Sequence, residues 1–343
     1  MPTGTGLDAQ IGFGAESTWG TAVTPTRFIE FNSESLQKDV TWLEPSALHT
    51  GIKYKRASRI RQSRFSVSGD VEFDINTLGM GLFVRNMLGS AVTTTTLISG
   101  TAYKQVHTPG GLQGLGLTCQ VGRPEPASGT VYPFTFAGCK VDKWAFTLKD
   151  NDTPSLKLTL DGRSESTATA LTTASFLSGA TTFDFSQATL KLGGTATTAS
   201  GETTIASGVA AATIINSITI TGDTKLAADR FGIGNAGLKA QQLENGIPTL
   251  TGKLDAEFGK TELYDVFSAN TTVAMQLDLT GAVISGGNNY LFSIILPAVK
   301  LKSAQPNVKS ADIVGMATDF EVYSDEVNPV IQIKIVSTES TTI

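Results

Sequence analysis

The chain has 343 residues, of which 40% are hydrophobic and 17% charged, proportions typical of a globular protein with enough apolar material for two cores. No run of about 18 apolar residues occurs, and the first residues lack a basic segment followed by an apolar one, so we expect neither a membrane span nor a signal peptide. The formal net charge is −5, and the charge is unevenly placed.

The first distinctive segment in chain order is basic. Residues 51–64 contain six bases and no acid: Lys53, Lys55, Arg56, Arg59, Arg61 and Arg64. The other residues hold 20 bases against 31 acids, or −11, and Tyr54 is the only aromatic residue among the bases, which disfavours nucleic-acid binding. We interpret the segment as a loop that docks on the acidic surface of another copy. A solvated loop without a partner is the alternative.

An unbroken alternation then predicts a strand over residues 65–75. Its apolar face carries Phe65, Val67, Gly69, Val71, Phe73 and Ile75, and its polar face carries Ser66, Ser68, Asp70, Glu72 and Asp74. The apolar face is expected to be buried and the polar face to be in water. Residues 77–87 have helical spacing, with Thr77 as the predicted N-cap and Gly89 as the stop.

Catalytic and metal-binding patterns are scarce. His49 and His107 have no ligand neighbours at metal-site spacing and are interpreted as lone polar residues in loops. Residues 150–152 offer too few ligands for Ca²⁺ and are interpreted as a hairpin turn. Cys119 and Cys139 are predicted to be buried free thiols in strands rather than a disulfide. We therefore expect no enzyme, no cofactor and no metal.

A second copy of the alternating strand follows at residues 249–258. When Gly69 is set on Gly252, carboxylates again fall on carboxylates, with one exception: Asp255 matches Glu72, Glu257 matches Asp74, and Lys253 replaces Asp70. A predicted helix follows it too, from Thr261 as N-cap to Asn270 as stop, and residues 296–301 resemble residues 136–141. The match predicts two similar domains in tandem, with chance similarity between short strands as the alternative.

The predicted fold class is all-β, a mainly antiparallel β-barrel or sandwich with one short helix per domain. We expect an N-terminal arm over residues 1–25, a first domain over 26–170 and a second over 171–343. The boundary lies near residue 170 because 183–185 and 188–192 look like opening strands. Residues 193–212 consist mainly of Thr, Ala, Ser and Gly, which predicts a long flexible loop.

The order of several segments resembles the tail tube (major tail) proteins of long-tailed, non-contractile bacteriophages. The resemblance rests on residues 10–28, 34–36, the basic stretch to Arg64, 69–71, 79–82, 120–124, 136–141, 243–246, 297–299 and 328–333. It implies a structural virion protein of the phage tail, assembled in the host cytoplasm. It also implies six tube domains per ring, so that three two-domain chains would form a pseudo-hexameric ring.

The same resemblance implies partners and roles for residues. The partners would be further copies of the chain, the tape-measure protein and the tail tip and terminator proteins, and genomic DNA would pass through the lumen without specific binding. The six bases from Lys53 to Arg64 are the candidates for contacts between rings. The candidates for the lumen are Asp70, Glu72, Asp74, Lys253, Asp255 and Glu257; an acidic lumen would repel DNA. Alternation leaves open whether these side chains face the lumen or the outside.

Two other functions stay open. A surface-binding β-sandwich, such as an adhesin or a carbohydrate-binding module, would expose aromatic residues on one face and remain a monomer. Trp19, Trp42 and Trp144 are instead scattered along the chain. A minor or capping tail component cannot be separated from a tube protein by composition.

Overall fold

The structure is a computed structural model that describes residues 6–92, 94–125, 129–211, 213–308 and 311–342. Its regular structure is mostly antiparallel β with two short α-helices and short 3-10 helices, which confirms the predicted fold class. The first half of the chain contains α1 (Gly81–Leu88), β1 (Gln10–Ala15), β2 (Arg27–Ile29), β3 (Ser33–Glu34), β4 (Gln37–Leu43), β5 (Arg61–Asp74), β6 (Thr96–Ser99), β7 (Ala102–His107), β8 (Leu117–Glu125), β9 (Thr130–Lys149), β10 (Ser155–Gly162) and β11 (Ser164–Ser166).

The second half begins after residue 170. It contains α2 (Glu262–Ser268), β12 (Ala188–Leu192), β13 (Thr195–Ala199), β14 (Glu202–Ala206), β15 (Val209–Ala210), β16 (Ile215–Asp223), β17 (Thr249–Glu257), β18 (Val273–Ser285), β19 (Asn288–Leu301), β20 (Gly315–Val322) and β21 (Gln332–Ser337). None of the described helices is long and apolar enough to cross a membrane.

The two halves repeat one order of strand pairing. In the first half the order is β1–β8–β9–β10–β5–β4, and in the second it is β12–β18–β19–β20–β17–β16. The register repeats too, because Leu160 of β10 faces Gly69 where Phe320 of β20 faces Gly252. This agrees with the sequence match between the two copies.

The halves are joined by strand pairing as well as by the chain. The last part of β9, from Lys143 to Lys149, pairs with β16 from Asp223 back to Ser217. On another side of the molecule β7 pairs with β21. One hydrogen-bonded sheet therefore runs through both halves, and the division into two separate domains at residue 170 remains a prediction.

The core of the first half lies between two layers that share β9. The first part of β9 pairs with β8 and β11, and its last part pairs with β10 and β16. Phe83 of α1 fills the space between the layers, with ring centroids 5.0 Å from Phe13 of β1 and 4.7 Å from Phe73 of β5. Burying side chains of this size contributes about 1.5 to 3 kcal/mol each.

The predicted helix starts are only partly right. α1 begins at Gly81 with Met80 as its N-cap, so Thr77 is not a cap; its hydroxyl lies 3.3 Å from that of Thr181. Gly89 does end α1, in the left-handed conformation with φ of 68°. Thr261 occupies the N-cap position of α2, but its side chain makes no capping hydrogen bond.

The prediction of a long flexible loop over residues 193–212 is wrong for most of that segment. β13 and β14 form an antiparallel hairpin, joined by a two-residue turn at Ser200 and Gly201. The hairpin is held to the sheet through Gln332 of β21, which accepts a hydrogen bond from the Thr203 N–H and donates one to its carbonyl. Ala212 lies outside the described residues.

The opening strands predicted for the second half are also only partly right. Residues 188–192 form β12, but a short 3-10 helix at Phe185–Gln187 overlaps the strand predicted over residues 183–185.

Candidate functional site

Six neighbouring strands present one polar face to solvent. They pair in the order β5–β10–β9–β16–β17–β20, so three come from each half. Their alternate residues, such as Val71, Leu158 and Phe146, point into the core. The opposite face, which we call the acidic sheet face, is formed by residues 66, 68, 70, 72 and 74 of β5, 155, 157 and 159 of β10, 143, 145, 147 and 149 of β9, 217, 219, 221 and 223 of β16, 249, 251, 253, 255 and 257 of β17, and 315, 317, 319 and 321 of β20.

The acidic sheet face brings together all six residues predicted for the lumen. Asp70, Glu72 and Asp74 lie on β5, and Lys253, Asp255 and Glu257 lie on β17, with three strands between them. The whole face carries eight carboxylates and four lysines, a formal charge of −4, and its other residues are Ser, Thr, Ala and Gly. It therefore offers neither aromatic rings nor large apolar side chains to a passing molecule.

Three of the four lysines on this face have carboxylate partners. The Nζ atoms of Lys157, Lys143 and Lys253 lie 2.8, 3.8 and 3.6 Å from carboxylate oxygens of Asp70, Asp223 and Asp319 respectively. Partial burial raises the pKa of Asp70, but hydrogen bonds from Lys157 and Thr159 outweigh it and lower that pKa overall. Even with these ion pairs the face keeps an excess of negative charge, which repels a polyanion such as DNA.

The basic segment lies in the exposed connection between β4 and β5, residues 44–60, and continues into the first residues of β5, where Arg61 and Arg64 lie. We call residues 44–64 the basic loop. Lys55 lies 2.6 Å from Glu44, and the Arg61 guanidinium donates to the carbonyls of Ser58 and Ile60 within the loop. Arg64 stacks on the ring of Phe231, at 4.8 Å from its centroid.

Three other bases of the loop, Lys53, Arg56 and Arg59, form no ion pair with an acidic side chain of the described residues. Leu48 and Tyr54 expose 100% and 87% of their surface beside these bases. The loop therefore presents both positive charge and apolar surface.

The matching connection in the second half, residues 224–248, folds back onto the first half. Lys239 is buried and its Nζ lies 2.5 Å from Asp161 of β10. Gln242 donates to the same carboxylate, and Lys140 of β9 donates to the Gln242 carbonyl. The two loops have different environments, and their charges differ too: +5 for residues 44–64 and +1 for residues 224–248.

Both cysteines are buried in strands, as predicted, and burial raises the pKa of the Cys119 and Cys139 thiols. His49 lies in the exposed basic loop. The loop assignment is wrong for His107, which is fully buried at the end of β7 and lies 3.1 Å from Gln105 and 3.2 Å from Ser90.

Within the part of the chain that the structure describes, no three His, Cys, Asp or Glu side chains cluster as metal ligands. Residues 150–152 form the turn between β9 and β10, and Asn151 there has a φ of 57°.

The sequence matches a known protein family over nearly its whole length. Residues 6–323 match the model of a family described as phage tail tube protein. A comparison with curated proteins found no match. The family match spans both halves, including both strands of the acidic sheet face that carry the lumen candidates. The chain therefore belongs to the phage tail tube protein family.

Proposed function

We propose that this structural tail tube protein assembles into stacked rings of three chains, with the acidic sheet face lining the channel through which phage DNA is ejected. The two repeated halves of each chain would provide six similar units around the ring. The tail would be of the long, non-contractile type. The tape-measure protein would occupy the channel during assembly in the host cytoplasm, and tip and terminator proteins would bound the tube.

The continuity of the acidic sheet face across both halves carries this proposal. A channel wall needs one sheet face on the protein core and the other in water, and the six strands from β5 to β20 have that pattern. Its net charge of −4 and its small side chains favour a surface along which DNA slides without binding. The same face on the outside of a tube would need no such continuity between halves.

The basic loop is suited to contacts between successive rings. It lies at the end of the sheet where β5 and β17 begin, whereas α1 and α2 follow the other ends of these strands. Exposed ion pairs contribute only about 0 to 1 kcal/mol each, so stacking must rest on several loops per ring and on apolar contacts. Leu48 and Tyr54 supply such apolar surface.

Electron microscopy of the purified protein at high concentration tests this function. We expect hollow tubes whose rings contain three chains and six similar lobes. If the chain stays monomeric even when tip and tape-measure proteins are supplied, the tube function is wrong. If it binds only at the end of a tube formed by another protein, it is a minor tail component.

A further inference from the structure

We propose that residues 34–39 of one chain pair, as an antiparallel strand, with residues 303–308 of a second copy, so that each joint between chains repeats the joint between β9 and β16 within a chain. This inference rests on the proposed ring, and it names the two edges that close it. Its partner is therefore a second copy of this chain.

The first step is the position of residues 33–39 in the repeated fold. Ser33 faces Glu72 as Ser217 faces Asp255, and Asp39 faces Ser66 as Asp223 faces Thr249. Both stretches have seven residues, so residues 33–39 correspond one to one with residues 217–223 of β16. Within the chain, residues 217–223 pair with β9 on their other side. Residues 33–39 have no strand on that side among the described residues.

The second step is the position of residues 303–308. Leu301 pairs with Phe320 as Val141 pairs with Leu160, and Asn307 bridges to Gly315 as Thr147 pairs with Ser155. Residues 303–308 therefore correspond to residues 143–148 of β9, the stretch that pairs with β16. In the described chain they run beside β20, and no strand pairs with their other edge.

Burial differs between the two edges in the way an absent neighbour predicts. Leu148 is 7% exposed at the joint within the chain, whereas Val308, at the corresponding position, is 78% exposed. A surface cleft of about 630 Å³ beside β3 is lined by Phe31, Glu34 and Phe176. Because Glu34 corresponds to Ile218, the residue opposite Leu148, this cleft is where Val308 of a second copy would lie.

The backbone groups at the two edges are compatible with this register. The Asn216 carbonyl accepts from Asp150 and the Thr224 N–H donates to Asp142, so even-numbered residues of β16 direct their backbone groups towards β9. Leu36, which corresponds to Ile220, then directs its groups to the open edge, where its carbonyl accepts from Arg123.

Pro306 would lie opposite Leu36 in this register. Proline has no N–H to donate, and the Leu36 carbonyl already has a donor in Arg123, so the joint loses no hydrogen bond at this point. The Leu36 N–H donates to the Glu34 carboxylate within the chain, and in the joint it would exchange that acceptor for the Pro306 carbonyl. Side-chain contacts of this kind protect an open strand edge before it is paired.

A disulfide across the proposed joint tests the register. Gln37 and Gln305 would form a non-hydrogen-bonded pair, whose Cβ atoms lie about 4.5 to 5.5 Å apart, close enough for a disulfide after small shifts. Both side chains are exposed, and native Cys119 and Cys139 are buried. We expect Gln37→Cys/Gln305→Cys, oxidised after assembly, to convert most chains into covalent oligomers that a reductant dissolves.

Two control variants test whether a disulfide can form at this kind of pair and whether it depends on the register. Ala145→Cys/Thr221→Cys places the corresponding pair within one chain, where they face each other, and should form a disulfide without adding mass. Gln37→Cys/Ser303→Cys is offset by two residues and should cross-link much less. Thermal unfolding of the reduced variants verifies that each is folded.

The outcomes separate this inference from the tube function. If tubes form but Gln37→Cys/Gln305→Cys stays monomeric on a non-reducing gel, while the Ala145→Cys/Thr221→Cys control forms its disulfide, the pairing is wrong and the tube function stands. If the offset variant cross-links as efficiently, the register is wrong. If the wild-type chain never forms rings, even with its tail partners, both proposals fail.

Discussion

The buried ion pair between Lys239 and Asp161 is one of the contacts that hold the 224–248 loop on the first half. Burial raises the pKa of Asp161 in spite of the lysine beside it, and Gln242 also donates to this carboxylate. Removing the lysine leaves a buried carboxylate without its cation, which typically costs about 3 to 5 kcal/mol. We expect Lys239→Met to lower the free energy of unfolding by that amount in urea denaturation at neutral pH.

The matched control for this prediction is Lys260→Met, on an exposed lysine, which should change stability little. The double variant Lys239→Met/Asp161→Asn removes both charges and should recover much of the loss. Equal stability of Lys239→Met and wild type would contradict the importance of the pair.

His107 gives the fold a dependence on pH. Burial, and secondly the positive charge of Arg85, lower the pKa of His107 from 6.5 to about 4. Between these values the unfolded chain binds the proton more readily, so the free energy of unfolding falls as the pH drops. We expect wild type to lose about 2 to 3 kcal/mol more than His107→Gln between neutral pH and about pH 4.5, measured by urea denaturation.

His49→Gln, in the exposed basic loop, is the control for the His107 measurement. If His107→Gln loses as much stability as wild type on acidification, protonation of other groups explains the pH dependence.

At this scale the sequence predicts which side of a strand a residue occupies, but not its long-range contacts. Val71 and Asp70 fall on the predicted sides because period-two alternation is a local property. The predictions for Thr77 and His107 are wrong because distant residues set their environments: Thr77 lies beside Thr181, and His107 pairs with Ile333 of β21. No local pattern identifies Lys239 and Asp161 as partners, since 78 positions separate them in the chain.

Among the elements, the basic loop is the one whose charge we expect to control the growth of tubes from rings. Arg61 holds the loop through carbonyls of Ser58 and Ile60, whereas Lys53 and Arg59 project from it. We expect Lys53→Glu/Arg59→Glu to form normal rings but to lengthen into tubes poorly, because each reversal turns an attraction between rings into repulsion. Tube length in electron micrographs, with ring number as the reference, is the measurement.

The charge-conserving variant Lys53→Arg/Arg59→Lys is the control for this loop and should form tubes of wild-type length. Arg59→Glu/Arg61→Glu should also remain folded and impair growth. Normal tubes from both reversed variants would remove the loop from the stacking mechanism.

The β13–β14 hairpin is an element that amino-acid composition alone does not predict. Its residues are small and mostly uncharged, which predicts a loop, yet Thr is a good strand former and Ser200-Gly201 is a favourable two-residue turn. Both turn residues have positive φ, 52° and 78°. The Glu202 carboxylate then holds the hairpin against the sheet, at 2.5 Å from Lys104 Nζ and 3.1 Å from Lys334 Nζ. These contacts join residues far apart in the chain, so no local sequence pattern predicts them.

For the whole molecule, the proposed channel makes a prediction about DNA. Glu72→Lys/Asp255→Lys/Glu257→Lys changes the acidic sheet face from −4 to +2, because each substitution adds two positive charges. We expect tubes of this variant to bind a labelled oligonucleotide with an affinity that falls steeply with salt, whereas wild-type tubes bind none. Density for DNA inside the bore in cryo-electron micrographs would locate the binding.

The neutral variant Glu72→Gln/Asp255→Asn/Glu257→Gln is the control for this channel and should bind far less than the reversed one. Oligonucleotide bound only to the outside of the tube would place the acidic sheet face there and contradict the proposal.

The pairing of β9 with β16 has a consequence for the thermodynamics of ring closure. Both strands belong to one polypeptide, so this joint forms at folding, with no loss of translational and rotational freedom, a loss that costs about 4 to 15 kcal/mol for each association between separate molecules. In a ring of three chains, three of the six joints lie within a chain and therefore form when that chain folds. Each remaining joint can be weak enough for free chains to stay dispersed, and still be sufficient once a growing tube end holds its neighbours in place.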